Sequence, residues 1–160
     1  MRTIYDHLAL CVAALALASL LALLNPSPAQ AAGVVTDCTT YGPGPGTLAA
    51  ALETDGLVTF ACSGVIILPE QIAMYNNRRL VIDGSGQTVT LSGNNSTRLF
   101  NLGSGSSLHL HNLTLTAGYA PGGGAIQSAG FLTITNSALL SNTAGYGGAL
   151  ELFNGSVLIQ

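Results

Sequence analysis

The chain contains no lysine and no tryptophan, and charged residues of either sign are scarce. Of its 160 residues 7% are charged, the four basic residues are all arginine, and the formal net charge is -3. Surfaces that bind nucleic acid or anionic lipid carry clustered basic side chains, so this composition predicts neither partner. Intrinsic disorder is excluded as well, because 48% of the residues are hydrophobic. Twenty glycines in so apolar a chain instead indicate a folded protein that is rich in turns.

Residues 1–31 have the pattern of a signal peptide. Arg2 precedes an apolar segment at 8–24, and Ala-Gln-Ala at 29–31 fits cleavage by signal peptidase. The alternative is an uncleaved anchor, since the apolar segment approaches the length that crosses a bilayer. Two prolines after this segment and the cleavage pattern favour removal. We therefore expect an exported protein whose mature chain begins at Ala32 and contains no membrane span.

Export would leave two cysteines, Cys38 and Cys62, in an oxidising compartment. No histidine or third cysteine accompanies them at the spacing of metal ligands. The sequence therefore predicts a Cys38–Cys62 disulfide, with two buried free thiols as the alternative. Closing a loop of this size would stabilise the fold by about 3 kcal/mol.

Three series of short segments follow one another along the chain, and each segment alternates apolar with polar residues. The first series is 80–83, 108–111, 132–135 and 157–160; the second is 88–92, 112–116 and 137–141; the third is 98–102, 124–128 and 148–152. Glycine, asparagine or serine separates each segment from the next. This pattern is typical of half-buried strands between tight turns.

Equivalent positions in these series recur at a constant spacing, as at Leu91, Leu115 and Leu139. A fixed period of about 24 residues indicates a solenoid, and three strands in each period indicate three faces. Each strand would pair in parallel with its equivalent one coil later, which makes an all-β parallel β-helix. Asn112 and Asn136 also recur at this spacing, and we expect a stacked asparagine ladder at a corner of the coils. The positions predicted to face the interior are Ile82, Val89, Leu91, Phe100, Leu102, Leu108, Leu110, Leu113, Leu115, Ile126, Leu132, Ile134, Leu139, Leu150, Val157 and Ile159.

The chain before the coils contains one helix-like stretch, at residues 46–54, with Leu48 and Leu52 on one face. The open end of a β-helix needs a cap, so we assign 32–56 to an N-terminal segment with a capping helix. Residues 57–160 are assigned to the β-helix coils. The repeat stops part-way through its fourth copy of the first strand series, and we expect the sequence to be an N-terminal fragment of a longer repeat protein.

Two repeat motifs resemble those of polymorphic outer-membrane proteins and related bacterial surface β-helix proteins. A GGA-plus-aliphatic tetrapeptide occurs as Gly123, Gly124, Ala125 and Ile126, and again as Gly147, Gly148, Ala149 and Leu150. Between them 139–142 reads LLSN, where the family has phenylalanine at the first position and asparagine at the last. The resemblance covers 36–160. It implies a right-handed β-helix on the surface of a bacterium or outside the cell, often in an adhesin or an autotransporter passenger.

Catalytic residues are hard to find in the predicted coils. Polysaccharide hydrolysis needs two neighbouring carboxylates, and lyase chemistry needs a base with acidic calcium ligands. The six carboxylates after residue 31 are not paired in strand register, Asp83 being aligned with His111 and Thr135. His109 and His111 project to one side of a strand, but two imidazoles without a third ligand make a poor metal site. The sequence predicts no catalytic residue, cofactor or metal.

Three functional hypotheses remain open from the sequence. The first is an exported, noncatalytic and monomeric surface protein of the adhesin or autotransporter-passenger type that binds glycans or proteins of cell surfaces. The second is the N-terminal part of a pectate lyase-like carbohydrate-active enzyme, since the parallel β-helix fold occurs in such enzymes as well as in noncatalytic surface proteins. The third is a purely structural component of the cell envelope.

Overall fold

Residues 31–160 form a parallel β-solenoid of about five turns, which confirms the predicted all-β, β-helix fold. The structure is a computed structural model and describes these residues. The predicted signal peptide lies outside the described residues except for Ala31, which begins the first strand. Every strand pairing within 31–160 is parallel. The alternation of apolar and polar residues explains this arrangement, because every second side chain of a strand faces the interior.

The first face is a six-stranded sheet that runs the length of the described solenoid. In order across the sheet its strands are β1 (Ala31–Val35), β2 (Gly56–Phe60), β5 (Arg79–Asp83), β8 (Ser107–His111), β12 (Phe131–Thr135) and β16 (Ser156–Ile159). The last four strands match the predicted first series. Strands β1 and β2 extend the same face towards the N-terminus, so the segment assigned to the cap also contributes a strand.

The second and third faces each contain four strands. The second consists of β3 (Gly64–Ile67), β6 (Val89–Ser92), β9 (Leu113–Thr116) and β13 (Ala138–Leu140). The third consists of β4 (Ile72–Met74), β7 (Phe100–Leu102), β11 (Ile126–Ser128) and β15 (Leu150–Leu152). Both faces contain the strands predicted for their series, together with one earlier strand each.

A fourth, two-stranded sheet joins the second face to the third in the later coils. It pairs β10 (Tyr119–Gly122) with β14 (Thr143–Tyr146). Both segments have the pattern of turns in the sequence, because they contain glycine or proline and show no clear alternation. The later coils therefore have four strands in each turn rather than the three predicted.

Aliphatic side chains of like register form columns inside the coils. Ile82, Leu110 and Ile134 are partners across three strands of the first face, and all three are buried. The other predicted inward residues are also in the core or packed partly against it, except Ile159. Ile159 pairs in register with the inward Ile134, but it is 65% exposed. Its strand β16 lies at the edge of the first face, where no described coil covers it.

The N-terminal helix α1 spans Leu48–Ala51 and is shorter than the predicted 46–54. Thr47 caps it by accepting a hydrogen bond from the N–H of Ala50 at 3.3 Å. Leu48 is fully buried in the core, and α1 contacts β1 at the first edge of the solenoid. No helix in residues 31–160 is long and apolar enough to cross a membrane.

The predicted disulfide between Cys38 and Cys62 is present, and it joins the N-terminal segment to the first coil. The Cα atoms of the two residues are 5.8 Å apart. Cys38 is buried in the core, and Cys62 packs partly against it. The link therefore holds the segment that carries α1 against the end of the stack.

Candidate functional site

The glycines of the two GGA-plus-aliphatic motifs have a structural role. Gly123 has a φ of +54°, and a side chain there would place its Cβ 2.3 Å from the carbonyl oxygen of Ile126. A Cβ on Gly124 would lie 2.5 Å from the carbonyl oxygen of Gly148 in the next coil. Only glycine fits such positions. The first glycine of the next motif, Gly147, likewise has a positive φ, of +64°.

The remaining motif residues hold successive coils together. The N–H of Gly124 donates to the oxygen of Gly148 at 2.6 Å, and the N–H of Ala125 donates to the oxygen of Ala149 at 2.9 Å. Ile126 pairs in register with Leu150 and is buried in the core, whereas Leu150 is only partly buried. The two motifs thus stack directly on each other, and they build the corner between the fourth sheet and the third face.

Asn112 and Asn136 occupy equivalent corners between the first and second faces. Both have left-handed backbone conformations, with φ of 53° and 47°. Asparagine tolerates this conformation better than most residues, which explains its recurrence at the corner. Nδ2 of Asn112 donates to Oγ of Ser85 at 2.6 Å, and Nδ2 of Asn136 lies 3.5 Å from Nε2 of His111. Each amide therefore contacts a polar side chain of the preceding coil.

Asp83, Ser85 and His111 meet beside this corner but do not form a nucleophilic triad. Oδ1 of Asp83 accepts from Oγ of Ser85 at 2.5 Å and lies 3.2 Å from Nδ1 of His111. In a triad the imidazole separates the hydroxyl from the carboxylate and removes the hydroxyl proton. Here the serine hydroxyl donates directly to the carboxylate and lies 3.4 Å from Nδ1 of His111, so the imidazole does not separate the two groups. The contact joins neighbouring coils in the register predicted for Asp83 and His111.

Partial burial of Asp83 acts to raise its pKa, but hydrogen bonds to the carboxylate outweigh burial and lower the pKa. Ser85 supplies these bonds through its hydroxyl and its backbone N–H, and His111 adds a favourable charge and a hydrogen bond. Asp83 is therefore held in its ionised form. A general acid would need a raised pKa, so this carboxyl is unsuited to protonating a leaving group.

Three further carboxylates of the described chain, Asp37, Asp55 and Glu151, each have their own hydrogen-bond partners. Asp55 pairs with Arg78 at 2.9 Å, and Glu151 accepts from Gln127 at 2.9 Å. Hydrogen bonds from the hydroxyl and N–H of Thr39 and from Thr40 lower the pKa of Asp37 to about 2. Residues 31–160 contain no group of three or more histidine, cysteine or acidic side chains that could hold a metal ion.

A groove of about 460 Å³ lies at the corner between the first and second faces. We call it the corner groove and define it by its seven polar lining residues, which are Gln87, Thr88, Asn112, Thr114, Asn136, Ser137 and Gln160. Three successive coils contribute to it through residues at or just after their corners, and Gln160 is added from the next coil. None of the described residues that line it has an acidic or basic side chain.

Several polar atoms of the corner groove have no hydrogen bond to any residue between 31 and 160. They are Nε2 of Gln87, the hydroxyls of Thr88 and Thr114, and the side-chain oxygens of Asn112 and Asn136. Other atoms of the same side chains are fixed, since Oε1 of Gln87 accepts from Ser63 at 2.8 Å. The groove therefore presents donors and acceptors that are held in place and left free for a ligand.

Comparisons with known proteins leave the function to be inferred from this geometry. No protein-family model matches the chain, and neither a curated protein nor a solved structure matches it. The repeat spacing singles out Asn112 and Asn136 in the sequence but does not reveal the groove that they line. The uneven lengths of the corners conceal it, because five residues, 84–88, separate β5 from β6, whereas Asn112 alone separates β8 from β9.

Proposed function

We propose that the protein is an exported, noncatalytic surface solenoid of the polymorphic outer-membrane type, and that it binds neutral glycan chains along the corner groove. The observation that supports this proposal is the uncharged groove with its free amide and hydroxyl groups. Sugar hydroxyls both donate and accept hydrogen bonds, so they suit a surface that offers both. An adhesin or an autotransporter passenger would use such a site to hold a cell to a glycan-coated surface.

The shape of the corner groove favours a linear oligosaccharide over a compact ligand. Its polar residues come from four successive coils, which are stacked about 4.8 Å apart. A glycan lying along the solenoid axis could contact Gln87, Asn112 and Asn136 in turn. Since no charged side chain lines the groove, an anionic ligand would find no counter-charge there.

The same observations disfavour the enzymatic alternative. The carboxylate of Asp83, at the same corner, is bonded to Ser85 and His111 and is held ionised. A glycosidase requires a second carboxyl group within several ångströms of the first. A purely structural role would leave the polar atoms of the groove bonded to water, and a direct measurement of glycan binding distinguishes this role from the proposed one.

Isothermal titration calorimetry on the full chain tests the proposal. The probes are three neutral linear oligosaccharides, namely cellohexaose, chitohexaose and xylohexaose. We expect at least one to bind, and we expect Asn112→Gly and Asn136→Gly each to weaken its binding about tenfold by removing a hydrogen-bonding amide. Glycine retains the left-handed corner in both variants, so the fold should not change.

Asn154→Gly is the matched control. Asn154 also has a left-handed conformation, with φ of 55°, but it lies outside the corner groove. Its substitution should leave the affinity unchanged. If none of the probes binds, or if all three variants bind equally well, the groove is not the site. Release of shortened products from any probe would instead support the carbohydrate-active enzyme.

A further inference from the structure

A second depression of about 300 Å³ lies at another corner of the solenoid, between the loop after β6 and strand β10. We call it the Arg98 cleft and define it by Gln71, Ser96, Thr97, Arg98 and Tyr119. It shares no residue with the corner groove. Unlike the groove it contains a cation, so its ligand should differ in charge.

Three hydrogen bonds hold the Arg98 guanidinium in a fixed orientation. Nε donates to the carbonyl oxygen of Gly123 at 3.1 Å, and Nη2 donates to that of Gly122 at 2.8 Å. Nη1 donates to Oε1 of Gln71 at 3.0 Å. A guanidinium has five N–H groups, so one on each Nη atom has no partner among residues 31–160. Each of these free N–H groups can donate to an oxygen of a carboxylate.

The positive charge of Arg98 is also unpaired within the described chain. The two ion pairs of residues 31–160 are Arg78–Asp55 and His111–Asp83. Burial lowers the pKa of Arg98, whereas the more distant charge of Glu151 acts to raise it. The Glu151 carboxylate is itself bonded to Gln127. A half-buried cation without a direct counter-charge is costly to maintain, and an anionic ligand would remove that cost.

Tyr119 supplies an aromatic surface beside this cation. Its side chain is 54% exposed and lines the same cleft. The hydroxyl of Tyr119 has no hydrogen bond to another residue in the described part of the chain. Ligand sites commonly combine an aromatic wall with a few convergent polar groups. The carbon-bound hydrogens of a sugar ring can pack on such a wall while its hydroxyls reach Gln71, Ser96 and Thr97.

We propose that the Arg98 cleft binds a carboxylate-bearing sugar residue, with the carboxylate on the free Nη groups of Arg98 and the ring against Tyr119. This inference goes beyond the proposed function, because it adds a separate site with the opposite charge preference. A glycan with both neutral and acidic units could then occupy two corners of one solenoid.

Titration of the full chain with single sugars tests the inference. The probes are methyl glucuronoside and the methyl glycoside of N-acetylneuraminic acid, each compared with its carboxyl methyl ester. At least one acid should bind about tenfold more tightly than its ester, as expected for a charge-assisted hydrogen bond. Comparing the two acids identifies which sugar supplies the carboxylate. Equal binding of acid and ester, or no binding of either acid, overturns the inference.

Variants of Tyr119 locate the binding without disturbing Arg98, whose hydrogen bonds support the fold. Tyr119→Ala should weaken binding of the acid about fivefold or more, and Tyr119→Phe should not, because the ring is retained. The control is Tyr146→Ala, since Tyr146 is 76% exposed and lies outside the cleft. Circular dichroism verifies that each variant is folded. Equal losses in Tyr119→Ala and Tyr146→Ala would overturn the assignment.

Two further results separate this inference from the proposed function. Inorganic sulfate should bind more weakly than the better acid; if it binds as tightly, the cleft recognises any anion and the sugar assignment is wrong. The Asn112→Gly variant should bind the acidic sugar normally, because the corner groove is a separate site. If a neutral hexasaccharide binds but neither acidic sugar does, the proposed function is supported and only the assignment of the Arg98 cleft is wrong.

Discussion

The side-chain oxygen of Asn142 accepts a hydrogen bond from the backbone N–H of Gly118, one coil earlier, at 2.8 Å. Its Nδ2 donates to the carbonyl oxygen of Leu115 at 3.0 Å. Asn142 is the last residue of the LLSN motif, and Leu139, the first, packs partly against the core. One amide thus satisfies two backbone groups of the preceding coil where the chain leaves β9. This geometry gives the asparagine of the motif a structural purpose.

Replacing Asn142 by alanine should therefore destabilise the solenoid by about 2 kcal/mol, because two backbone groups lose their partner. The change is measured as the free energy of unfolding in urea. Asn101→Ala is a suitable control, since the Asn101 amide bonds the exposed Tyr75 hydroxyl at 2.9 Å rather than the backbone. That variant should lose less than about 1 kcal/mol. Equal losses in the two variants would show that Asn142 does not link the coils as described.

The motif glycines should differ from other glycines in their tolerance of a methyl group. Gly124→Ala should cost more than about 2 kcal/mol, because the new Cβ would lie 2.5 Å from the backbone oxygen of Gly148. At Gly86 φ is +78°, and nothing lies within 4 Å of the new Cβ. Gly86→Ala should therefore cost only about 1 kcal/mol, from backbone conformation alone. Urea denaturation of both variants measures the difference, and a larger loss at Gly86 would contradict the stacking of the GGA motifs.

Neighbouring residues on β9 should respond oppositely to a new charge. Leu115 is fully buried, so Leu115→Asp would leave an unpaired carboxylate in the core and should prevent cooperative folding. Thr114 lies at the surface of the corner groove, and Thr114→Asp should change the melting temperature by only a few degrees. Thermal unfolding followed by circular dichroism compares the two variants. Similar melting temperatures would contradict the inward and outward assignments on this strand.

Stability should decrease in strong acid because several carboxyl groups have lowered pKa values in the folded chain. Hydrogen bonds from Thr39 and Thr40 lower the pKa of Asp37 to about 2, and hydrogen bonding by Arg78 lowers the pKa of Asp55. Such groups stabilise the fold above their unfolded pKa and lose that contribution as the pH falls through the folded value. The free energy of unfolding should therefore decline between about pH 4 and pH 2.

Asp37→Asn should reduce the pH dependence of unfolding in this range, because it removes one titrating group. Urea denaturation at a series of pH values measures the slope. A slope that is the same in the variant and the original chain would contradict the low pKa of Asp37. Thr133 carries no acidic group, so Thr133→Val should leave the slope unchanged and serves as the control.

Much of the fold could be predicted because the core columns recur at a constant spacing along the chain. Leu91, Leu115 and Leu139 identified the second face from spacing alone, and their register in the structure agrees. Strands β10 and β14 could not be found in this way. Their residues, YAPG and TAGY, pair along the backbone without an apolar alternation that would distinguish them from turns.

The corner groove and the Arg98 cleft depend on relationships that periodicity does not contain. Residues 84–88 separate β5 from β6 at the corner between the first and second faces, whereas Asn112 alone separates β8 from β9 one coil later. The length of each corner segment determines which side chains of neighbouring coils lie in contact. Arg98 likewise reaches Gln71 and Gly122, which are 27 and 24 residues away. Predicting these contacts would require the path of each loop, which composition and spacing do not specify.

The most direct test of glycan binding in the corner groove is nuclear magnetic resonance of the asparagine side-chain amides in the full chain. The chain is titrated with the neutral hexasaccharide that binds most tightly in calorimetry. The amide signals of Asn112 and Asn136 should shift progressively and saturate, while that of Asn154 stays in place, because only the first two line the groove. Shifts confined to other faces, or no shift at a saturating concentration, would contradict the proposed function.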